Sequence, residues 1–106
     1  MTLVSKALAE MAGTFAMISV GGSSILLAQR FPAVFPSFGI AAAWGSIIAL
    51  MILVLGNISG AHFNPAVTLA FAAMKRFPAA LVPLYWLSQC AGGLAASGLL
   101  VALRRL

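Results

Sequence analysis

Few residues of this chain could do chemistry, and most fall in one run, Ser59-Gly60-Ala61-His62-Phe63-Asn64-Pro65-Ala66-Val67-Thr68. Outside it stand Glu10, the sole acidic residue, and Gln89. No nucleophile, base and orienting group come together, so no enzyme is expected. His62 has no Cys, Asp or Glu neighbour, which argues against a metal centre, and nothing asks for a cofactor. What remains is hydrogen bonding by a polar stretch set in an apolar chain. Asn64 is a favourable helix N-cap, and Pro65 suits the first helical position, where its missing N–H loses nothing. A helix over 65–74 would be roughly 15 Å long, about half the thickness of a bilayer core. A half-length helix led in by Gly-Asn-Ile-Ser-Gly-Ala-His reads as a re-entrant segment over 57–74. Irregular backbone at such depth is tolerated only where it lines a cavity or is buried in protein. The run therefore predicts a pore or a binding site.

The elements that must position this run are apolar. Of 106 residues, 63% are hydrophobic and 7% charged, which excludes a soluble globular domain and predicts an all-α integral membrane protein. The net charge of +5 invites a nucleic-acid reading, but the basic residues sit singly or in pairs at the ends of apolar runs. There they snorkel toward headgroups and form no face for a phosphate backbone. The lone Cys90 excludes an internal disulfide and reads as a packing residue in a small-residue run.

Three spans are predicted, over 7–28, 38–56 and 79–103, so that residues 1–106 form a single unit. The first is too long for a signal-peptide core and reads as a permanent span, rich in small residues (Ala9, Ala12, Gly13, Ala16, Ser19) that permit close helix packing. Glu10 within it faces either a bundle interior or the headgroups. Phe31, Phe35 and Phe38 are expected at the interface, and Tyr85 and Trp86 as belt residues of the third span. Trp44 lies twenty residues before Asn64, on a pore wall or facing lipid. Gln89 needs a polar partner. Gly92, Gly93, Ala95, Ala96 and Ser97 mark a close-packed face.

Several motifs together resemble a known family. SGAHFNPAVT is similar to the first signature loop of the major intrinsic proteins, the aquaporins and glycerol facilitators. Ala9-Glu10-Met11-Ala12-Gly13-Thr14-Phe15 resembles the family's AExxGTF opening, and Gln89-Cys90-Ala91-Gly92-Gly93 its QxxGA third span. The resemblance covers nearly the whole chain but only the first of the family's two tandem halves. It implies that Glu10 accepts hydrogen bonds from the re-entrant backbone, that Gln89 bonds to that backbone, and that Trp44 forms one wall of an outer constriction. It also implies that Asn64 donates to passing oxygens beside a ladder of carbonyls from Gly60, Ala61 and His62, with Pro65 and Ala66 completing the motif. Where the family's second half carries an arginine after its Asn-Pro-Ala, this chain has Val67.

Charge placement gives little orientation. One side collects Lys6, Lys75 and Arg76 and the other Arg30, Arg104 and Arg105, three against three. A balanced count allows insertion both ways up, and the family's halves resemble inverted repeats. The expected assembly is an antiparallel, dual-topology homodimer, with four such pairs by analogy to aquaporin tetramers, in the lipid bilayer of a prokaryotic inner membrane. The expected function is a passive channel for water and small uncharged solutes such as glycerol, with neutral metalloid acids as further candidates by resemblance to bacterial relatives of plant channels. The competing readings are an inactive fragment or subunit needing a partner half, and a small dual-topology multidrug exporter, whose relatives have four full spans.

Overall fold

Three helices are long and apolar enough to cross a membrane, and one is not. In the computed structural model, which describes all residues 1–106, α1 is Leu3–Arg30, α2 Ser37–Ser59, α3 Pro65–Ala73 and α4 Val82–Arg104, the last entered through a 3-10 turn at Ala79–Leu81. At 1.5 Å per residue α1, α2 and α4 reach roughly 42, 35 and 35 Å, whereas α3 reaches roughly 14 Å. This is an all-α membrane architecture of three spans and one half-helix, not four full spans.

The bounds differ from expectation for local reasons. α1 begins at Leu3, four residues early, because the Thr2 hydroxyl caps the Ser5 N–H at 3.0 Å and Lys6 is carried inside the helix. α2 continues past Gly56 to Ser59, because Gly60 supplies the left-handed cap (φ 89°) and returns its N–H to the Gly56 carbonyl at 2.9 Å. α3 ends with Lys75 left-handed (φ 59°), the Arg76 N–H reaching the Phe71 carbonyl and the Lys75 N–H that of Ala72. That is the Schellman closure, with lysine in the usual glycine position. Pro83 stands in the first turn of α4, where no intrahelical bond is lost.

α1 is the central element, packed against both α2 and α4, while α3 lies on α4. The α1–α4 crossing is close: an alanine Cβ at Gly92 would overlap the Met11 carbonyl oxygen and lie 3.1 Å from the Phe15 nitrogen. Gly93 and Ala96 share that face, but Ala95, Ser97 and Cys90 are exposed, so neither the expected small-residue face nor the packing role of Cys90 extends that far. The period of the α-helix places them on the far side.

Only 15 of 106 residues are buried, and they include Glu10, Thr14, Ser24, Ser59, Thr68, Ser88 and Gln89. Polar groups are inside and large apolar ones outside, with Phe38 and Leu53 each 79% exposed. Such a surface belongs in hydrocarbon or against another protein. The two ends are both cationic: Lys6 and Arg76 line one cavity, Arg30 and Arg104 another.

Candidate functional site: the re-entrant loop and its carboxylate

Residues Gly60–Asn64 join the end of α2 to the half-helix without regular structure. Gly60 (φ 89°), Ala61 (φ 55°) and Phe63 (φ 53°) are left-handed. For the two non-glycine residues this costs about 1–2 kcal/mol each, so something must hold them.

The holder is Glu10, fully buried on α1. Its Oε2 accepts from the Ser59 hydroxyl (2.6 Å) and the His62 backbone N–H (3.1 Å). Its Oε1 accepts from the Phe63 backbone N–H (2.8 Å) and the Gln89 amide (2.8 Å). Hydrogen bonds to a charged acceptor contribute about 1.5–3 kcal/mol each, enough to outweigh the two strained residues. The Ala61 N–H donates to the Ser59 hydroxyl at 3.2 Å, and Tyr85 donates to the Ser59 carbonyl at 2.6 Å.

The result is one-sided. The N–H groups of Gly60, Ala61, His62 and Phe63 are all bound within the chain, yet none of their carbonyls accepts a hydrogen bond from it. Four consecutive acceptors are left for something else. At the end of the row the Asn64 Oδ1 caps the Ala66 N–H at 2.8 Å, which commits its oxygen and leaves its NH2 as a donor. Asn64, Pro65, Ala66 and Val67 form an exposed tip.

Behind the loop a second layer of bonds fixes α3. The Thr68 hydroxyl, fully buried, accepts from Gln89 Nε2 at 2.9 Å and lies 2.9 Å from His62 Nδ1. With one proton to give and two lone pairs to receive, the hydroxyl can serve both partners in either tautomer of His62. The His62 ring is held by Phe71, Phe77 and Tyr85, with centroids 4.8–5.0 Å away. A cavity of about 450 Å3 lies against this edge, lined by Asn57, Gly60 and His62 among others.

Three expectations need correction. Gln89 does not bond to the loop backbone; its NH2 is divided between Glu10 and Thr68. The loop turns its N–H groups inward and offers no carbonyl there, so the NH2 finds its acceptors in the carboxylate and the Thr68 hydroxyl. Tyr85 is not a belt residue: it is 1% exposed, one helical turn before Gln89 on the same inward face. Trp86 is partly exposed but donates from Nε1 to the Pro65 carbonyl at 3.1 Å, tying α4 to the first turn of α3. Trp44 is apart from the loop, roughly 22 Å along α2 from Ser59, with its ring over Gly21 of α1. Ser59, Phe63 and Thr68 were not anticipated. The space for the Phe63 ring is the missing side chain of Gly13, one turn beyond Glu10, and that spacing was the available signal.

Residues 1–105 match the family model described as Major intrinsic protein. The chain belongs to the major intrinsic protein family. Among curated relatives it is 40% identical to Nodulin-26 of Glycine max over 97 residues, which is 92% of this chain and 36% of that protein. It is 43% identical to aquaporin NIP3-1 of Arabidopsis thaliana over 101 residues, covering 93% and 31%. It is 45% identical to aquaporin NIP1-3 of Oryza sativa subsp. japonica over 98 residues, covering 92% and 34%. This major intrinsic protein chain thus spans about a third of the length of the relatives it matches. Membership and three apolar spans make it an integral membrane protein.

Proposed function

We propose that this chain is half of a passive channel for water and small uncharged solutes such as glycerol, completed by a second copy inserted the other way up. The observation that carries this reading is the row of four unpaired carbonyls beside the Asn64 donor. A neutral molecule bearing O–H groups exchanges its water contacts for these in single file. The tip of α3 supports the pairing, since its exposed N-terminus in hydrocarbon costs several kcal/mol per unsatisfied group. Two tips meeting around Pro65 cover each other and set two Asn64 amides side by side. The two half-helix dipoles then oppose cations and protons at the centre. Three cations at either end favour insertion in both senses.

With Val67 in place of a filter arginine in both copies, each mouth is lined by Trp44 and apolar side chains. That admits glycerol-sized solutes and neutral metalloid acids alongside water. Four such pairs form the assembly by analogy with the family. The curated relatives are plant proteins and lend no support to a prokaryotic inner membrane, so the location proposed is a cell membrane only.

The test is osmotic shrinkage of liposomes holding the purified chain. Asn64→Asp keeps the cap oxygen but loses the donor and adds a negative charge, so water flux falls at least tenfold; unchanged flux removes the loop from the pathway. Single cysteines at Thr2 or Leu106, in a Cys90→Ala background, label from both faces if copies are inverted. Labelling from one face alone rules the inverted pair out. A second reading is favoured by the chain's spanning a third of its relatives: a subunit needing a partner half. No flux alone, with flux on adding an arginine-bearing half, establishes it.

A further inference from the structure

At the end of the molecule away from the loop, α1 and α4 finish side by side around a groove of about 510 Å3, within the size range of ligand sites. Arg30 and Arg104 line it together with Leu26, Leu27, Phe31 and Leu103. Both arginines are exposed, each in the last turn of its helix. Each helix end offsets about half a charge, less than the full charge of the guanidinium beside it.

No side chain within residues 1–106 is placed to neutralise these arginines. The chain has one acid, Glu10, and that carboxylate is fully buried with four donors from Ser59, His62, Phe63 and Gln89. A second copy in either sense brings only another Glu10 and more cations. The two guanidinium groups thus stand at the ends of their spans, at headgroup level, directly above an apolar wall and with no acidic side chain of residues 1–106 beside them. The opposite end is different: Lys6 and Arg76 line the polar cavity beside His62.

We propose that this groove binds an anionic phospholipid, its phosphate on the guanidinium groups of Arg30 and Arg104 and its acyl chain along Leu26, Leu27 and Leu103. Planar guanidinium groups match phosphate oxygens in a fork that ammonium groups cannot reproduce. The assignment is independent of what the loop conducts.

Native mass spectrometry of the detergent-solubilised protein, titrated with phosphatidylglycerol or phosphatidylcholine of identical acyl chains, tests it. Phosphatidylglycerol should be retained preferentially. Arg30→Gln with Arg104→Gln should weaken that retention roughly 25-fold, two basic contacts at about fivefold each. Lys75→Gln with Arg76→Gln, the same charge loss at the other end, should change it less than twofold. Equal loss in both double variants, or no preference between the lipids, overturns the proposal. So does displacement of the lipid by millimolar inorganic phosphate, which would make this a site for free anions. A change of oligomeric state in the Arg30/Arg104 variant with lipid retention intact also overturns it, since a second copy would then be the occupant. Circular dichroism and unchanged melting of both variants establish that they remain folded.

Discussion

Glu10 and Phe63 stand 53 positions apart and are joined by a 2.8 Å hydrogen bond from the Phe63 backbone N–H to the carboxylate. The same carboxylate takes donors from α2, the loop and α4. Replacing Glu10 with glutamine keeps the shape but turns an NH2 toward one pair of those donors. Glu10→Gln should lower stability by about 3 kcal/mol, from two buried donors left unpaired, and abolish water flux. Thermal unfolding in micelles and liposome shrinkage measure the two effects.

Thr68 separates a hydroxyl from its shape. Valine there leaves the Gln89 amide and His62 Nδ1 each short of a partner, at about 1–3 kcal/mol apiece. Serine keeps both bonds and gives up only a methyl group, about 1 kcal/mol. Melting temperatures should fall in the order wild type, Thr68→Ser, Thr68→Val, and a valine variant as stable as serine would show that the bonds carry nothing.

Gly92 touches backbone rather than a movable side chain, so an added methyl must separate α1 from α4. Gly92→Ala is expected to cost about 2 kcal/mol. Gly98 has open space around its would-be Cβ, and Gly98→Ala should leave stability unchanged or raise it by up to about 1 kcal/mol through helix propensity. Side-by-side thermal melts of the two variants read the difference.

Trp44 covers Gly21, and truncating it opens a gap between α1 and α2. For a half-buried ring, Trp44→Ala should cost about 2 kcal/mol. With the mouth role proposed for it, the ratio of glycerol to water flux should at least double, while Trp44→Phe stays near wild type. A ratio unmoved in both variants places Trp44 outside the passage.

Much of this was readable from residue order because the strongest signals are local. Asn64 and Pro65 mark the start of α3 on chemical grounds, and three apolar runs of sufficient length announce the spans. The end of α2 is not legible, because Gly56 has the look of a stop yet lies within the helix. The glycine that ends the helix is Gly60, the first residue after Gly56 that can take the left-handed cap without strain. Glu10 and Gln89 were conspicuous as polar groups in apolar helices. Tyr85 and Phe63 were not, since aromatic residues are ordinary in a span and only the tertiary packing reveals which face the loop. The one-sidedness of the loop was likewise hidden, because it depends on left-handed torsions at Ala61 and Phe63 that neither residue type announces.

The carboxylate hub also bears on how the protein is made. The groups that satisfy Glu10 come 49, 52, 53 and 79 positions later in the chain. At a ribosomal pace of roughly 5–20 residues per second, the last follows it by on the order of 4–16 s. Throughout that interval the first span carries an acid whose ring of ligands is incomplete. Until α4 emerges to close the ring of donors, an ionised carboxylate in lipid costs on the order of 3 kcal/mol, so the first span gains its full stability in the membrane only once the last has been made.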